Sequence, residues 1–173
     1  AVLDDDDGLA GALVDAVTEA CGLRGTEVVL DAYSGSGLFA LFLAPRAGRV
    51  VGIERDPAAV RCARLNAERL GVRNADFLCG DAAVPSSGEA SLERSGADVV
   101  VLDPPRIGLG SGAAEGLARL RPKRIVYVSC DPATQARDIR RLTDLGFALR
   151  SLQPLDMFPQ TSHVEIVGLL EAR

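Results

Sequence analysis

At 173 residues with 47% hydrophobic side chains, the chain is long enough for one domain whose core needs no disulfide or metal staple. Its formal net charge of −5, from 19 basic against 24 acidic residues, and a pI near 4.9 exclude gripping a polyanion by bulk electrostatics. No apolar run is long enough to cross a bilayer, and one histidine with four scattered cysteines offers no metal-ligand pattern, so neither a membrane nor a metal partner is expected.

The chain opens on "AVLDDDDGLA", acidic and without the basic start and apolar centre of a secretory signal, so a cytoplasmic address is expected. A helix is predicted from Leu9 to Cys21 and a strand from Glu27 to Asp31. That strand runs into "LDAYSGSGLFAL". Gly35 and Gly37 there let the backbone approach a ligand at the carboxyl end of a strand, where open α/β sheets bind ligands. A dinucleotide fingerprint wants a third glycine at the place held by Ala40. The acidic residue followed by a short Gly-x-Gly fits a methyl-donor site better, the alternative being a tight turn with no ligand.

A helix from about Ser36 to Leu43 leads to a second strand, Arg49 to Glu54, ending in "VVGIERDP". An acid at this tip, about 20 residues after the glycines, is placed to accept both hydroxyls of a ribose. Capping of the next helix, Pro57 to Leu70, is already covered by Asp56 before Pro57, so Glu54 is left for an adenosine-containing cofactor. After a third strand, Asp76 to Cys79, Asp81 in "LCGDAA" is within reach of the adenine amino group or is a plain loop carboxylate.

Beyond the polar loop "PSSGEASLERSG", a strand from Ala97 to Asp103 ends in "VVLDPPRIGLG". Two prolines stiffen the chain just after Asp103 and hold its carboxylate at the sheet edge. Enzymes that methylate exocyclic amines follow such an acid and two prolines with an aromatic residue; here the position is Arg106, which holds a phosphate or a base oxygen instead. Amine methylation is therefore disfavoured.

A helix from Ala113 to Leu120 and a strand from Arg124 to Ser129 bring the chain to Cys130, followed by Asp131-Pro132 and a helix to Asp144. A thiol beside a helix N-terminus has its thiolate favoured by the dipole, against the opposing charge of Asp131. A nucleophile is useful where the carbon to be methylated is not itself nucleophilic, as at C5 of a pyrimidine. Addition of a thiolate at C6 makes C5 a carbanion, and a base must later remove the proton from C5. Two last strands, Phe147 to Pro154 and His163 to Leu170, joined by "LDMFPQTS" with no helix, should pair antiparallel. In "SHVEIVG", His163 and Glu165 share a face by the two-residue period. Glu165 is the candidate base, the alternative being a strand-edge carboxylate facing water, and His163 is read as a structural hydrogen-bonding residue. Cys21, Cys62 and Cys79 are read as small core residues.

The class is α/β: one domain over residues 1–173, with a mostly parallel seven-stranded sheet closed by a C-terminal antiparallel hairpin. That closure differs from the dinucleotide-binding arrangement and matches the class I S-adenosylmethionine-dependent methyltransferase (Rossmann-like) fold.

Taken together, "DAYSGSGLF", "DPPRIGLG", "SCDPATQARD" and "DMFPQTSHVE" resemble the RNA uracil-C5 methyltransferases, which make 5-methyluridine in transfer and ribosomal RNA. The resemblance runs from about Val28 to the end. It implies that Cys130 is the nucleophile, Glu165 the proton-abstracting base, and Tyr33, Glu54, Asp81 and Asp103 contacts of S-adenosyl-L-methionine, with tRNA or rRNA as substrate. The family's upstream RNA-binding β-barrel, its upstream glutamine and, in some members, iron–sulfur cysteines have no counterpart in this sequence, and Leu38 stands where relatives carry a polar residue. A monomer is expected. Rival readings are an RNA cytosine-C5 methyltransferase, for which "DPPR" lacks the cysteine after the proline, a weaker NAD dehydrogenase, and a non-catalytic cofactor-binding or RNA-folding module.

Overall fold

The computed structural model describes residues 8–81, 96–156 and 164–173. Helix α1 (Gly8–Cys21) precedes β1 (Val28–Ala32), α2 (Leu38–Leu43), β2 (Arg49–Glu54), α3 (Pro57–Leu70) and β3 (Ala75–Cys79). Next come β4 (Val99–Leu102), α4 (Ala113–Arg119), β5 (Arg124–Ser129), α5 (Pro132–Asp144), β6 (Phe147–Leu155) and β7 (Glu165–Ala172). The seven strands form one sheet in the order β3-β2-β1-β4-β5-β7-β6. Pairing is parallel from β3 to β5 and antiparallel for β5–β7 and β7–β6, so the expected parallel sheet with its closing hairpin is what forms.

Continuous apolar runs in the central strands reflect helices covering both faces. All four residues of β4 are buried, and their side chains alternate between two cores. Val99 and Val101 join Val29, Val50 and Val126 beneath α1, α2 and α3; Val100 and Leu102 join Leu30, Val51 and Ile125 beneath α4 and α5. Each such side chain contributes roughly 1.5–3 kcal/mol when fully buried. No helix among the described residues is long and apolar enough to cross a membrane.

Local signals set the helix ends. Asp56 caps α3 by accepting the Ala58 N–H at 2.8 Å, Pro57 occupies the first turn, and Gly71 closes the helix at φ 67°. Asp131 caps α5 in the same way, accepting the Thr134 N–H at 2.8 Å. At the far end of the sheet, Arg124 donates to the Cys21 carbonyl at 3.1 Å and to Glu171 at 3.2 Å, latching α1 to β5 and β7. Its guanidinium fills the space that a Cβ on Gly22 would need.

The reading of three cysteines as core residues holds only for Cys21, which is buried and whose thiol is pushed up to about 12 by that burial, with Asp31 adding to it. Cys62 and Cys79 are exposed. The buried stripe of α3 is Val60, Ala63 and Ala67, which leaves Cys62 on the outer side, and Cys79 ends the edge strand β3, paired only with β2. Residue His163 and the segment "MFPQTS" lie outside the described residues, and the last strand begins at Glu165.

Gly37 combines a φ of 93° with a tight contact: a Cβ there would sit 2.9 Å from the Phe77 ring and 3.2 Å from the Ala63 methyl. Gly37→Ala is therefore expected to destabilise the domain by about 1–3 kcal/mol through overpacking and backbone strain. Thermal unfolding should show a fall in melting temperature of several degrees; an unchanged midpoint would mean that Phe77 moves freely.

Candidate active site

The turn after β1 is built by backbone hydrogen bonds to the tip of β2. Ser34 N–H donates to the Ile53 carbonyl at 3.0 Å, Gly35 N–H to Glu54 Oε2 at 3.1 Å, and Gly37 N–H to the Ser34 carbonyl at 2.8 Å. The second Glu54 oxygen accepts the Asp56 N–H at 2.9 Å, so one half-buried carboxylate ties the two strand tips together. Each oxygen keeps a lone pair for a further donor. Tyr33 and Gly35 adopt φ values of 67° and 53°, and a Cβ on Gly35 would meet nothing within 4 Å among the described residues. A non-glycine residue with positive φ is uncommon and marks Tyr33 as held there by its surroundings.

Beneath the turn, Asp31 is fully buried. Its Oδ2 accepts the Ala40 N–H at 2.9 Å, while Asp31 Oδ1 and the Ser34 hydroxyl find no partner among the described residues. Buried polar atoms without partners cost free energy and point to where donors are missing. Burial pushes the Asp31 carboxyl up to about 8, against the Ala40 hydrogen bond and with help from the charges of Asp103 and Glu54. Asp81, the adenine candidate, accepts from Arg55 Nη2 at 2.9 Å, and it lies near enough to Tyr33 for its charge to raise the phenol further, after burial.

The reacting side is formed by the tips of β4, β5 and the start of β7. Asp103 follows β4 and leads into Pro104, Pro105 and the exposed Arg106, with the turn closed by Gly108 N–H to the Pro105 carbonyl at 2.7 Å. Desolvation of the Asp103 carboxyl, followed by the charge of Glu165, pushes it up to about 6. Cys130, half-buried, sits between the last residue of β5 and the Asp131 cap. The β5–β7 ladder pairs Ser129 with Ile166. Cys130 follows the last residue of that ladder on β5, and Glu165 precedes its partner on β7. Asp131 is held below the usual carboxylate range by hydrogen bonds from Thr134 and Ala133, with Arg106 contributing its charge.

Five of the six predicted site residues, Tyr33, Glu54, Asp103, Cys130 and Glu165, thus line one edge of the sheet, and Asp81 lies beside Tyr33 with its carboxylate engaged by Arg55. Two buried polar residues of α5, Gln135 and Asp138, lie inside "SCDPATQARD" but carried no assigned role. Their signal is positional: with Ile139 and Leu142 they occupy the i, i+3, i+4, i+7 stripe that packs inward.

This sheet order, with its glycine turn and acidic second-strand tip, defines a class I S-adenosylmethionine-dependent methyltransferase domain. A methyltransferase-domain model matches residues 29–104, and a model for tRNA (uracil-5-)-methyltransferases matches residues 86–173. The chain belongs to the tRNA (uracil-5-)-methyltransferase family. Proteins named as uncharacterised RNA methyltransferases are 46% identical over 91% of this chain in Oceanobacillus iheyensis and 47% over 92% in Caldanaerobacter subterraneus, covering 34% and 35% of those proteins. The crystal structure of Pyrococcus abyssi tRNA (uracil-54, C5)-methyltransferase in complex with S-adenosyl-L-homocysteine superposes with a TM-score of 0.79 at 38% identity, over 93% of this chain and 38% of that one. An rRNA methylase of Streptococcus thermophilus shares the fold at 18% identity, with a TM-score of 0.69 over 99% of both chains. The chain spans about a third of the length of the curated relatives it matches.

Both raised carboxyls make stability depend on pH. Each binds its proton more tightly in the folded than in the unfolded chain, so the stabilisation is complete below 3.8 and is lost as pH rises through about 6 for Asp103 and about 8 for Asp31. The melting temperature is expected to fall across this range, and Asp31→Asn, which keeps an acceptor for Ala40, should flatten the upper part. Melting curves at a series of pH values compare the two; parallel profiles would show that Asp31 does not titrate there.

Proposed function

We propose that this domain methylates C5 of a uridine in tRNA or rRNA through a covalent adduct between Cys130 and C6. The observation that supports the reading is that Cys130 and Glu165 each adjoin the last β5–β7 pair, Ser129 with Ile166, with the Asp103 carboxyl close enough to feel the charge of Glu165. S-adenosyl-L-methionine, when bound, supplies an electrophilic methyl group on a cationic sulfur. The residues present fit it. Glu54 has lone pairs for the ribose hydroxyls, the Gly35 turn is open, and the unpartnered Asp31 Oδ1 and Ser34 hydroxyl offer polar contacts beneath. Tyr33, Asp81 and Asp103 complete the proposed set, and the acidic edge has the sign that suits a cation.

The Cys130 thiolate forms a bond to C6 of the uracil, and the electron pair of the C5=C6 double bond moves to C5, conjugated with the C4 carbonyl. With C5 carrying both its hydrogen and the new methyl group, Glu165 removes the proton. The C–H electron pair re-forms C5=C6, and Cys130 leaves as thiolate. Arg106, exposed at the mouth, is the residue suited to a base oxygen or phosphate. At a net charge of −5 the domain offers few phosphate contacts of its own, and firm RNA binding is assigned to a further part of the parent polypeptide.

Glu54→Ala removes both a ribose acceptor and the tie between strand tips. Calorimetric titration with S-adenosylmethionine is expected to show a loss of about tenfold or more in affinity; equal affinity would remove Glu54 from the site.

Cys130 and Glu165 act at opposite ends of the cycle and should fail differently. Cys130→Ala is expected to form no adduct with RNA, whereas Glu165→Gln should add, accept the methyl group and then accumulate as a covalent protein–RNA species. Denaturing gels of protein incubated with a uridine stem-loop and cofactor separate the cases. A Glu165→Gln protein that turns over normally without a slow band would falsify the base assignment.

A further inference from the structure

Helix α5 begins two residues after Cys130, and its inward stripe carries two polar side chains where apolar ones would pack without cost. Gln135 is 2% exposed, and its Nε2 donates to the Tyr127 carbonyl of β5 at 2.9 Å and to the Ile166 carbonyl of β7 at 3.0 Å. Ile166 adjoins Glu165 and is paired with Ser129, which adjoins Cys130. One amide group therefore fastens both strands close to the proposed nucleophile and base.

Asp138 is fully buried one turn further on. Its Oδ2 accepts the Leu109 N–H at 2.7 Å, the Tyr127 hydroxyl at 3.0 Å and Arg137 Nη2 at 3.2 Å; its Oδ1 accepts Arg137 Nε at 3.0 Å and Arg141 Nη1 at 3.4 Å. Arg137 Nη2 also donates to the Ile107 carbonyl at 2.8 Å. Between these anchors Gly108, at φ 76°, lies against the Asp138 carboxylate with no room for a Cβ. The segment that carries Arg106 out of the Pro104-Pro105 turn is thus held at Ile107 and Leu109 by side chains from the helix after Cys130.

A buried carboxylate is costly to desolvate and is retained only where its partners repay it. Packing of α5 does not call for partners on a strand and on a separate loop, since Ile139 and Leu142 already bury its apolar stripe. We infer that Gln135 and Asp138 are positioning residues. Gln135 fixes the spacing of Cys130 and Glu165, and Asp138 fixes the Arg106 turn against them. The inference rests on the reading of Cys130 and Glu165 as nucleophile and base.

The two residues should separate by the step they slow. Gln135→Met keeps the volume and removes both donors, and Asp138→Asn keeps the shape and removes the charge. With a stem-loop carrying 5-fluorouridine, Asp138→Asn should form the trapped adduct about ten- to a hundredfold more slowly than the wild type, the scale expected of small misplacements at a reacting centre. Gln135→Met should form it at close to the wild-type rate but release methylated uridine RNA more slowly, so that adduct accumulates. Affinity for S-adenosylmethionine, whose proposed ribose acceptor Glu54 and glycine turn lie on β2 and β1, away from α5, should be unchanged in both. Hydrogen exchange should show the Leu109 amide losing protection in Asp138→Asn, and the start of β7 losing it in Gln135→Met, while β1 and β2 keep theirs.

Wild-type adduct formation and release in both variants would overturn the inference, as would a parallel loss of cofactor affinity and melting temperature, which marks a general folding role. If the wild type itself forms no adduct, the covalent reading fails. Unchanged exchange at Leu109 and at the start of β7 would then remove the anchoring role as well, whereas the expected losses would keep the two residues as holders of this edge without the chemistry.

Discussion

Because β1 is hydrogen-bonded in parallel to β2 on one side and to β4 on the other, the chain must leave the sheet in opposite directions from neighbouring strand tips. The first half of the chain winds outward to β3 and the second to β5. Loops that diverge in this way open a crevice at the carboxyl edge, which is where the Gly35 turn, Glu54 and Asp103 all lie. The antiparallel strand β7 adds a second consequence. In a parallel strand only the last residue reaches this edge, whereas β7 runs the other way and delivers its first, Glu165, next to the end of β5. A side chain at one strand's end and another at a strand's start come together only through that reversal.

The same edge concentrates negative charge, and the protein deals with each carboxylate differently. Glu54 is satisfied by two backbone N–H groups and Asp31 by one, whereas desolvation favours the neutral form of Asp103. Their mutual repulsion is visible in the upward shifts of Asp31 and Asp103, where burial dominates and neighbouring carboxylates add.

The fold was legible because its signals are local and repeated: short Val- and Leu-rich runs alternating with helical stretches, Asp-Pro pairs at two helix starts, and a final helix-free pair of strands. Candidate residues that sit at strand tips, such as Glu54, Asp103 and Cys130, are marked in the sequence by the polar or reactive side chain that ends each apolar run. The exposure of Cys62 and Cys79 was not legible from their apolar neighbours, because it depends on which side of α3 faces the sheet and on β3 being an edge. Asp81 was read for its reach toward a ligand, and its engagement by Arg55 depends on two loops that only the folded sheet brings side by side. Gln135 and Asp138 lie inside "SCDPATQARD" but had no legible role for a related reason. Their partners, Leu109, Tyr127 and Ile166, lie on three other segments, and the only trace in the sequence is a pair of polar residues on an otherwise apolar stripe.

Far from this edge, the Arg124 guanidinium occupies the place of a side chain at Gly22 while bonding to the Cys21 carbonyl and Glu171. The two positions are sterically coupled. A larger residue at 22 is blocked while the arginine is there, and loss of the arginine leaves Glu171 with Arg150, at 3.0 Å, and opens a gap beneath α1. Removing the arginine would free the space at residue 22, but the φ of 56° there still disfavours a side chain, so the guanidinium and the backbone each reserve the position for glycine.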